Sequence, residues 1–279
     1  MKIKKILGGF MSIAVLIVVA TSAFALSETV MVSGDSLPWL FNRDTSTTTP
    51  FEFNTDAATT GIGSLYVLPI QNTYPVLGKE GNDKFIAENF IMQPIADVES
   101  ISYDFRIGSG GVEADKVHFY MNVYANFGES PDDKYYDCRY NVVPTVGSTS
   151  DFTTVTFDPT QAYPVTTRTG GEASPYACPP VPADMDTLSE GSNIRMFALN
   201  LGDTSVNDQD LDGYFDTVVV ALNNGDMTTY DFEPALTPES ADECKNDGWM
   251  SFNSPTFKNQ GDCVSYVKSN ANAVGNKTK

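Results

Sequence analysis

The chain has 279 residues, with 36 acidic against 17 basic side chains and one histidine, for a net charge of −19 at pH 7. A surface this acidic repels phosphate backbones and anionic lipid headgroups, which excludes nucleic acid and membrane surfaces as partners. An apolar content of 41% with 11% aromatics suffices for a packed core, so the acidity does not imply disorder.

The first 25 residues read as an export signal. Lys2, Lys4 and Lys5 precede an apolar run over residues 6–20, and Ala23-Phe24-Ala25 forms a small-x-small cleavage site. The run is short for a membrane span and lacks a stop-transfer flank, so no membrane insertion is expected after cleavage. The mature chain is expected to begin at Leu26 and to fold in an oxidising, calcium-containing exterior, secreted or held at the cell surface.

Beyond the signal, short alternating or apolar runs are separated by Gly, Pro, Asn, Asp and Thr clusters, the pattern of an all-β sandwich. Strands are predicted at 30–32, 50–53, 64–70 and 84–90. Over 101–107, Ile101, Tyr103, Phe105 and Ile107 share one face while Ser102, Asp104 and Arg106 share the other. The clearest strand is 116–127. Val117, Phe119, Met121, Val123 and Ala125 form its apolar face; His118, Tyr120, Asn122, Tyr124 and Asn126 form a polar and aromatic one. Further strands are predicted at 135–142, 152–157, 194–201, 214–222 and 227–232. Asn223-Asn224-Gly225-Asp226 reads as the hairpin turn joining the last two, with Gly225 supplying a positive φ.

Two segments break this rhythm. Residues 158–193 form a long stretch rich in Pro, Thr, Gly and Ala. After Pro234, Thr237-Pro238 and the Ser240-x-x-Glu243 capping box predict a helix ending near Gly248, and 257–269 reads as a second one. Residues 236–269 are thus expected to form a disulfide-closed helical hairpin behind a sandwich of residues 26–235, with a polar tail at 270–279.

The four cysteines, Cys138, Cys178, Cys244 and Cys263, allow three pairings. Proximity along the chain favours Cys138–Cys178 and Cys244–Cys263, as structural disulfides of a secreted protein. With no C-x-x-C and no Cys/His cluster, zinc or thiol-redox chemistry has no support.

Two constellations carry binding chemistry. Asp208-Gln-Asp210-Leu-Asp212-Gly213 has the D-x-D-x-D-G spacing that gathers carboxylates around calcium, with Asp216, Asp203, Asn207 or a carbonyl to complete the shell. Its twelfth position is Val219 rather than Glu, and a strand follows instead of a helix, so it is no EF-hand. The expected role of the ion is structural. His118, Tyr120, Asn122 and Tyr124 form the second constellation: tyrosine rings stack on sugar faces while asparagine bonds hydroxyls, which predicts a glycan site on that strand face.

Enzyme signatures are sparse. His118 is the one candidate imidazole base, and the chain lacks G-x-S-x-G, H-E-x-x-H, a Walker loop, a dinucleotide fingerprint and a Glu-x-Asp-x-x-Glu strand. The expectation is a non-enzymatic binder. A structural envelope or matrix component is the alternative, with a glycoside hydrolase or lyase behind it.

Two resemblances extend this reading. Asp242-Glu-Cys-Lys-Asn-Asp-Gly-Trp249 and Phe257-Lys-Asn-Gln-Gly-Asp-Cys-Val-Ser-Tyr266 resemble a short cysteine-paired segment found at the C-terminus of many exported bacterial proteins, which implies export and extracellular life. Gly61-Ile-Gly63-Ser64-Leu65, Asp83-Lys84, Ile101-Ser-Tyr103 and Leu211-Asp-Gly-Tyr-Phe-Asp216 follow the order seen in secreted jelly-roll domains. They resemble concanavalin-like and carbohydrate-binding sandwiches, which implies a jelly-roll fold and, by analogy, a glycan or cell-surface partner.

Overall fold

The computed structural model describes residues 25–34, 38–42, 49–69, 84–108, 119–128, 136–145, 147–171, 173–202, 211–252 and 255–269. Fourteen strands run along them: β1 (Ser27–Val32), β2 (Trp39–Phe41), β3 (Phe51–Asn54), β4 (Ser64–Val67), β5 (Phe85–Asn89), β6 (Gln93–Pro94) and β7 (Val98–Ile107) come first. β8 (Phe119–Asn126), β9 (Cys138–Val142), β10 (Thr153–Phe157), β11 (Val165–Thr167), β12 (Asn193–Leu201), β13 (Gly213–Leu222) and β14 (Met227–Phe232) follow.

They form two seven-stranded sheets, as a sandwich requires. Sheet A is centred on β13. One edge of β13 pairs with β4 at Gly213–Phe215 and with β14 at Val218–Ala221; the other edge pairs with β7, which carries β10. β3 extends β4, and β1 lies parallel to β14. Sheet B runs β11-β9-β8-β12-β5-β2, with β6 on β12.

The alternation in β7 and β8 explains the layering. Ile101, Tyr103, Phe105, Phe119, Met121 and Val123 are buried and face each other between the sheets. Phe105 of sheet A stacks on Phe119 of sheet B with centroids 4.7 Å apart, and Trp39 of β2 meets Phe232 of β14 at 4.9 Å. Each such fully buried aromatic contributes about 2–3 kcal/mol of apolar transfer free energy. Trp39 lies in a three-residue strand that the sequence pattern did not flag, yet it is fully buried.

Cys138–Cys178 and Cys244–Cys263 are both bonded. The first ties β9 to the long irregular stretch, which contains β11 and a short helix, α1 (Met185–Leu188). Behind the sandwich only one of the two expected helices forms, α2 (Gln260–Ser269). Residues 241–247 are turns, and Asn246 and Asp247 stand at φ 49° and 65°, which ends any helical run. Ser240 and Glu243 do engage without a helix following: Ser240 Oγ donates to Glu243 Oε1 at 2.9 Å, and the backbone N–H of Glu239 donates to Glu243 Oε2 at 3.0 Å.

Candidate functional site

The polar face of β8 becomes the outer surface of sheet B. Register places Tyr120 opposite Asn200, Asn122 between Ala198 and Asn141, and Tyr124 between Met196 and Arg139. Glu88 of β5 lies across from Ala198, which completes the row. Three of the four residues expected to line a glycan site therefore share this surface; His118 lies outside the described residues.

The surface is graded in exposure. Ala198 and Asn200 are fully buried and Asn122 is 4% exposed, whereas Tyr120, Asn141 and Arg139 are half-buried and Thr166 of β11 is exposed. Exposure rises from β12 and β8 towards β9 and β11, and Tyr124, 8% exposed, packs with Ile86, Met196 and Ala198 in a second apolar cluster.

Two acceptor atoms of β8 and β12 on this face are unsatisfied. The Oδ1 atoms of Asn122 and Asn200 are buried with no hydrogen-bond donor. Asn200 turns its Nδ2 to the Ala198 carbonyl at 2.9 Å, which leaves its oxygen bare. A buried acceptor without a donor costs about 1–3 kcal/mol, so such atoms point to a water or ligand hydroxyl that belongs there. Tyr124 packs edge-on against Tyr136 at 5.2 Å. Burial raises its phenol well above the ordinary tyrosine range, against the lowering effects of Arg139 and of the Asn122 hydrogen bond, so it stays protonated and able to donate.

The aspartates expected to gather around calcium are distributed differently. Asp208 and Asp210 lie outside the described residues. Asp212 is 2% exposed and accepts from the Tyr66 hydroxyl at 2.8 Å on Oδ2. Asp216 serves a separate polar group: its Oδ2 accepts from Thr59 N at 2.6 Å and Thr59 Oγ1 at 2.7 Å, and its Oδ1 from Thr217 N at 2.8 Å. Among the described residues no group of three His, Cys, Asp or Glu side chains is arranged to hold a metal ion.

Asp216 instead belongs to a buried acidic set with Asp231 and Glu233, clamped by the loop before β4. Thr60 Oγ1 donates to Asp231 Oδ1 at 3.0 Å, and Ile62 N donates to Glu233 Oε1 at 2.8 Å. Gly61, at φ +61°, lets the loop pass; a Cβ there would sit 1.4 Å from Glu233 Oε1. Burial raises the Glu233 and Asp216 carboxyls above the ordinary range, and Asp231 raises both further, against the hydrogen bonds they accept.

Sequence reasoning missed Asn200, Arg139 and Glu88 on the sheet B surface, and the Asp231–Glu233 pair. Asn200 carried a signal, as a lone amide inside an otherwise apolar run. The others become neighbours only through strand pairing.

No family model matches the chain, and no curated protein matches it. Solved structures similar to it include the family 11 carbohydrate-binding module from Clostridium thermocellum in complex with a β-1,3-1,4-mixed-linked tetrasaccharide. That match has 10% identity and TM-score 0.39, over 72% of this chain and 92% of that one. The family 11 module of a cellulosomal cellulase of the same organism matches at 10% identity and TM-score 0.43, over 71% and 95%. TmCBM61 in complex with β-1,4-galactotriose matches at 8% identity and TM-score 0.32, over 70% and 89%. These likenesses are remote, and the functional reading rests on the residues of this chain.

Proposed function

We propose that the protein is an exported, non-enzymatic jelly-roll sandwich that binds glycan on the outer surface of sheet B. The observation that carries this reading is the pair of bare, buried acceptors, Asn122 Oδ1 and Asn200 Oδ1, beside Tyr120 and Tyr124. Sugar hydroxyls donate to such oxygens, and tyrosine rings cover the apolar faces of pyranoses. The ligand enters from the β9–β11 side, where Arg139, Asn141 and Thr166 are reachable. Both cysteine pairs are bonded, which suits an oxidising exterior, and the leader at residues 1–25 supplies the route there. No helix among the described residues is long and apolar enough to cross a membrane.

The decisive experiment is a glycan array followed by affinity measurement. Wild-type protein is expected to bind a defined glycan class, and Tyr124→Ala and Tyr120→Ala to lose that binding while keeping the fold. No hit across a broad array, with self-association and cofractionation with envelope, would replace this reading with the structural one. Release of reducing ends from polysaccharide would make the protein a glycosidase. A structural calcium ion at Asp208, Asp210 and Asp212 is a separate proposal, motivated by their spacing. Its test is the melting temperature with and without chelator, where an unchanged value removes it.

A further inference from the structure

The opposite surface of the sandwich carries a second row that neither constellation uses. Across the outer face of sheet A, register aligns Glu52 of β3, Tyr66 of β4, Tyr214 of β13 and Arg106 of β7, with Phe152 just before β10. Tyr66 and Tyr214 stack with centroids 4.7 Å apart at an interplanar angle of 30°. The Arg106 guanidinium lies 4.3 Å from the centre of the Tyr214 ring and 5.7 Å from that of Phe152. The far end of the row is fixed as well, because the Tyr66 hydroxyl is held by Asp212.

Arg106 is thus pinned, yet its donors are unused. Its Nε is buried with no acceptor, and among the described residues no carbonyl or carboxylate accepts from the guanidinium. The next side chain on the same face, Asp104, accepts from Thr154 Oγ1 at 2.5 Å rather than from Arg106. Buried side-chain nitrogens without a partner also occur at Arg139 and Arg168, so what marks Arg106 is its seat against the Tyr214 and Phe152 rings. Tyr66, Tyr214, Arg106 and Phe152 are all half-buried, so solvent reaches the row.

We propose that this row is a binding site for a carboxylate-bearing sugar, a uronate, with Arg106 as the anchor. A guanidinium immobilised by aromatic stacking presents a planar fork that matches a carboxylate with two parallel hydrogen bonds, and little side-chain entropy remains to be lost. The net charge of −19 repels a polyanion, so the matching ligand is an isolated uronate on an otherwise neutral glycan. The aromatic edges and the exposed Thr154 hydroxyl lie beside the fork for contacts to the remaining sugar. This inference goes beyond the sheet B site and uses the other side of the molecule.

The test follows the arginine side-chain N–H resonances of the full mature protein by NMR, with the Arg106 signal assigned by its loss in Arg106→Lys. Sodium glucuronate is expected to shift the Arg106 signal saturably, and glucose to leave it unmoved. Arg106→Lys should weaken glucuronate binding by about tenfold or more, since lysine keeps the charge but not the fork. Tyr124→Ala should leave it unchanged, which separates this site from the sheet B surface. An Arg106 signal indifferent to glucuronate overturns the proposal on wild-type protein alone. So does full affinity in Arg106→Lys, or equal binding of a short glutamate peptide. A positive array with an indifferent Arg106 removes this site and leaves the sheet B reading standing.

Discussion

The backbone N–H of Leu26 donates to Oδ1 of Asp226 at 2.7 Å, and this bond fastens the start of β1 to the turn between β13 and β14. Asp226 is itself fixed: Asn224 Nδ2 donates to its other oxygen at 2.8 Å, and Leu26 O accepts from Met227 N at 2.8 Å. If export removes residues 1–25, the donor becomes an α-ammonium group and the hydrogen bond becomes an ion pair. The mature protein should then show an intact mass beginning at Leu26, and Asp226→Ala should lose about 0.5 kcal/mol in chemical denaturation, as exposed pairs do. That loss should shrink as pH rises through the α-amino range near about 8, where the ammonium loses its proton.

The disulfides should contribute unequally. Cys138 and Cys178 are 40 residues apart, and Cys138 sits fully buried in the sandwich. Replacing both with serine is expected to cost about 3–4 kcal/mol in the chain-entropy model, read as a lowered denaturation midpoint. Cys244 and Cys263 close a span of 19 residues in which Cys263 is the one buried residue of α2. Their removal should expose residues 236–269 to limited proteolysis while the sandwich stays resistant.

The acidic set predicts a pH dependence of definite sign. Glu233 and Asp216 have carboxyls raised chiefly by burial, so the folded state holds protons that the unfolded chain has released. Their contribution to stability is full below the ordinary carboxylate range near about 4 and is lost as pH rises through the folded values. Glu233→Gln keeps the acceptor for Ile62 N and removes a buried carboxylate that Asp231 and Asp216 disfavour. It should stabilise the protein by roughly 1 kcal/mol at neutral pH, with the gain vanishing near pH ~4. Equal effects at both pH values would contradict this account.

Tyr103 offers a control in the core. Its ring packs against Phe105 and Phe215, but its hydroxyl is buried with no partner. Tyr103→Phe removes that polar atom at almost constant volume and should raise stability by about 1 kcal/mol, measured by urea denaturation.

Much of the sandwich was legible because alternation is a local property. The apolar faces of β7 and β8 were read from every second residue, and Asn223–Asp226 was read as a turn from its asparagines and glycine. The short strands were not legible. β2 offers three residues, too few for a period, although its Trp39 anchors the core. β12 is buried on nearly all of its length, so its pattern showed a strand without showing that Asn200 joins the β8 surface. The segment before Gly248 carried helix-start signals, but positive φ at Asn246 and Asp247 stops the turn from propagating.

By itself the sequence determined the strand-rich composition, the turn chemistry and the polar face of β8, because each depends on residues within a few positions of one another. The tertiary structure decided which distant strands meet. It set Thr59 on Asp216 across 157 positions, β1 beside β14 in parallel, and Arg106 against the Tyr214 ring of β13 and the Phe152 ring before β10. Such pairings are selected by the packing of whole faces, and the free energy that fixes them exists only once both sheets have closed.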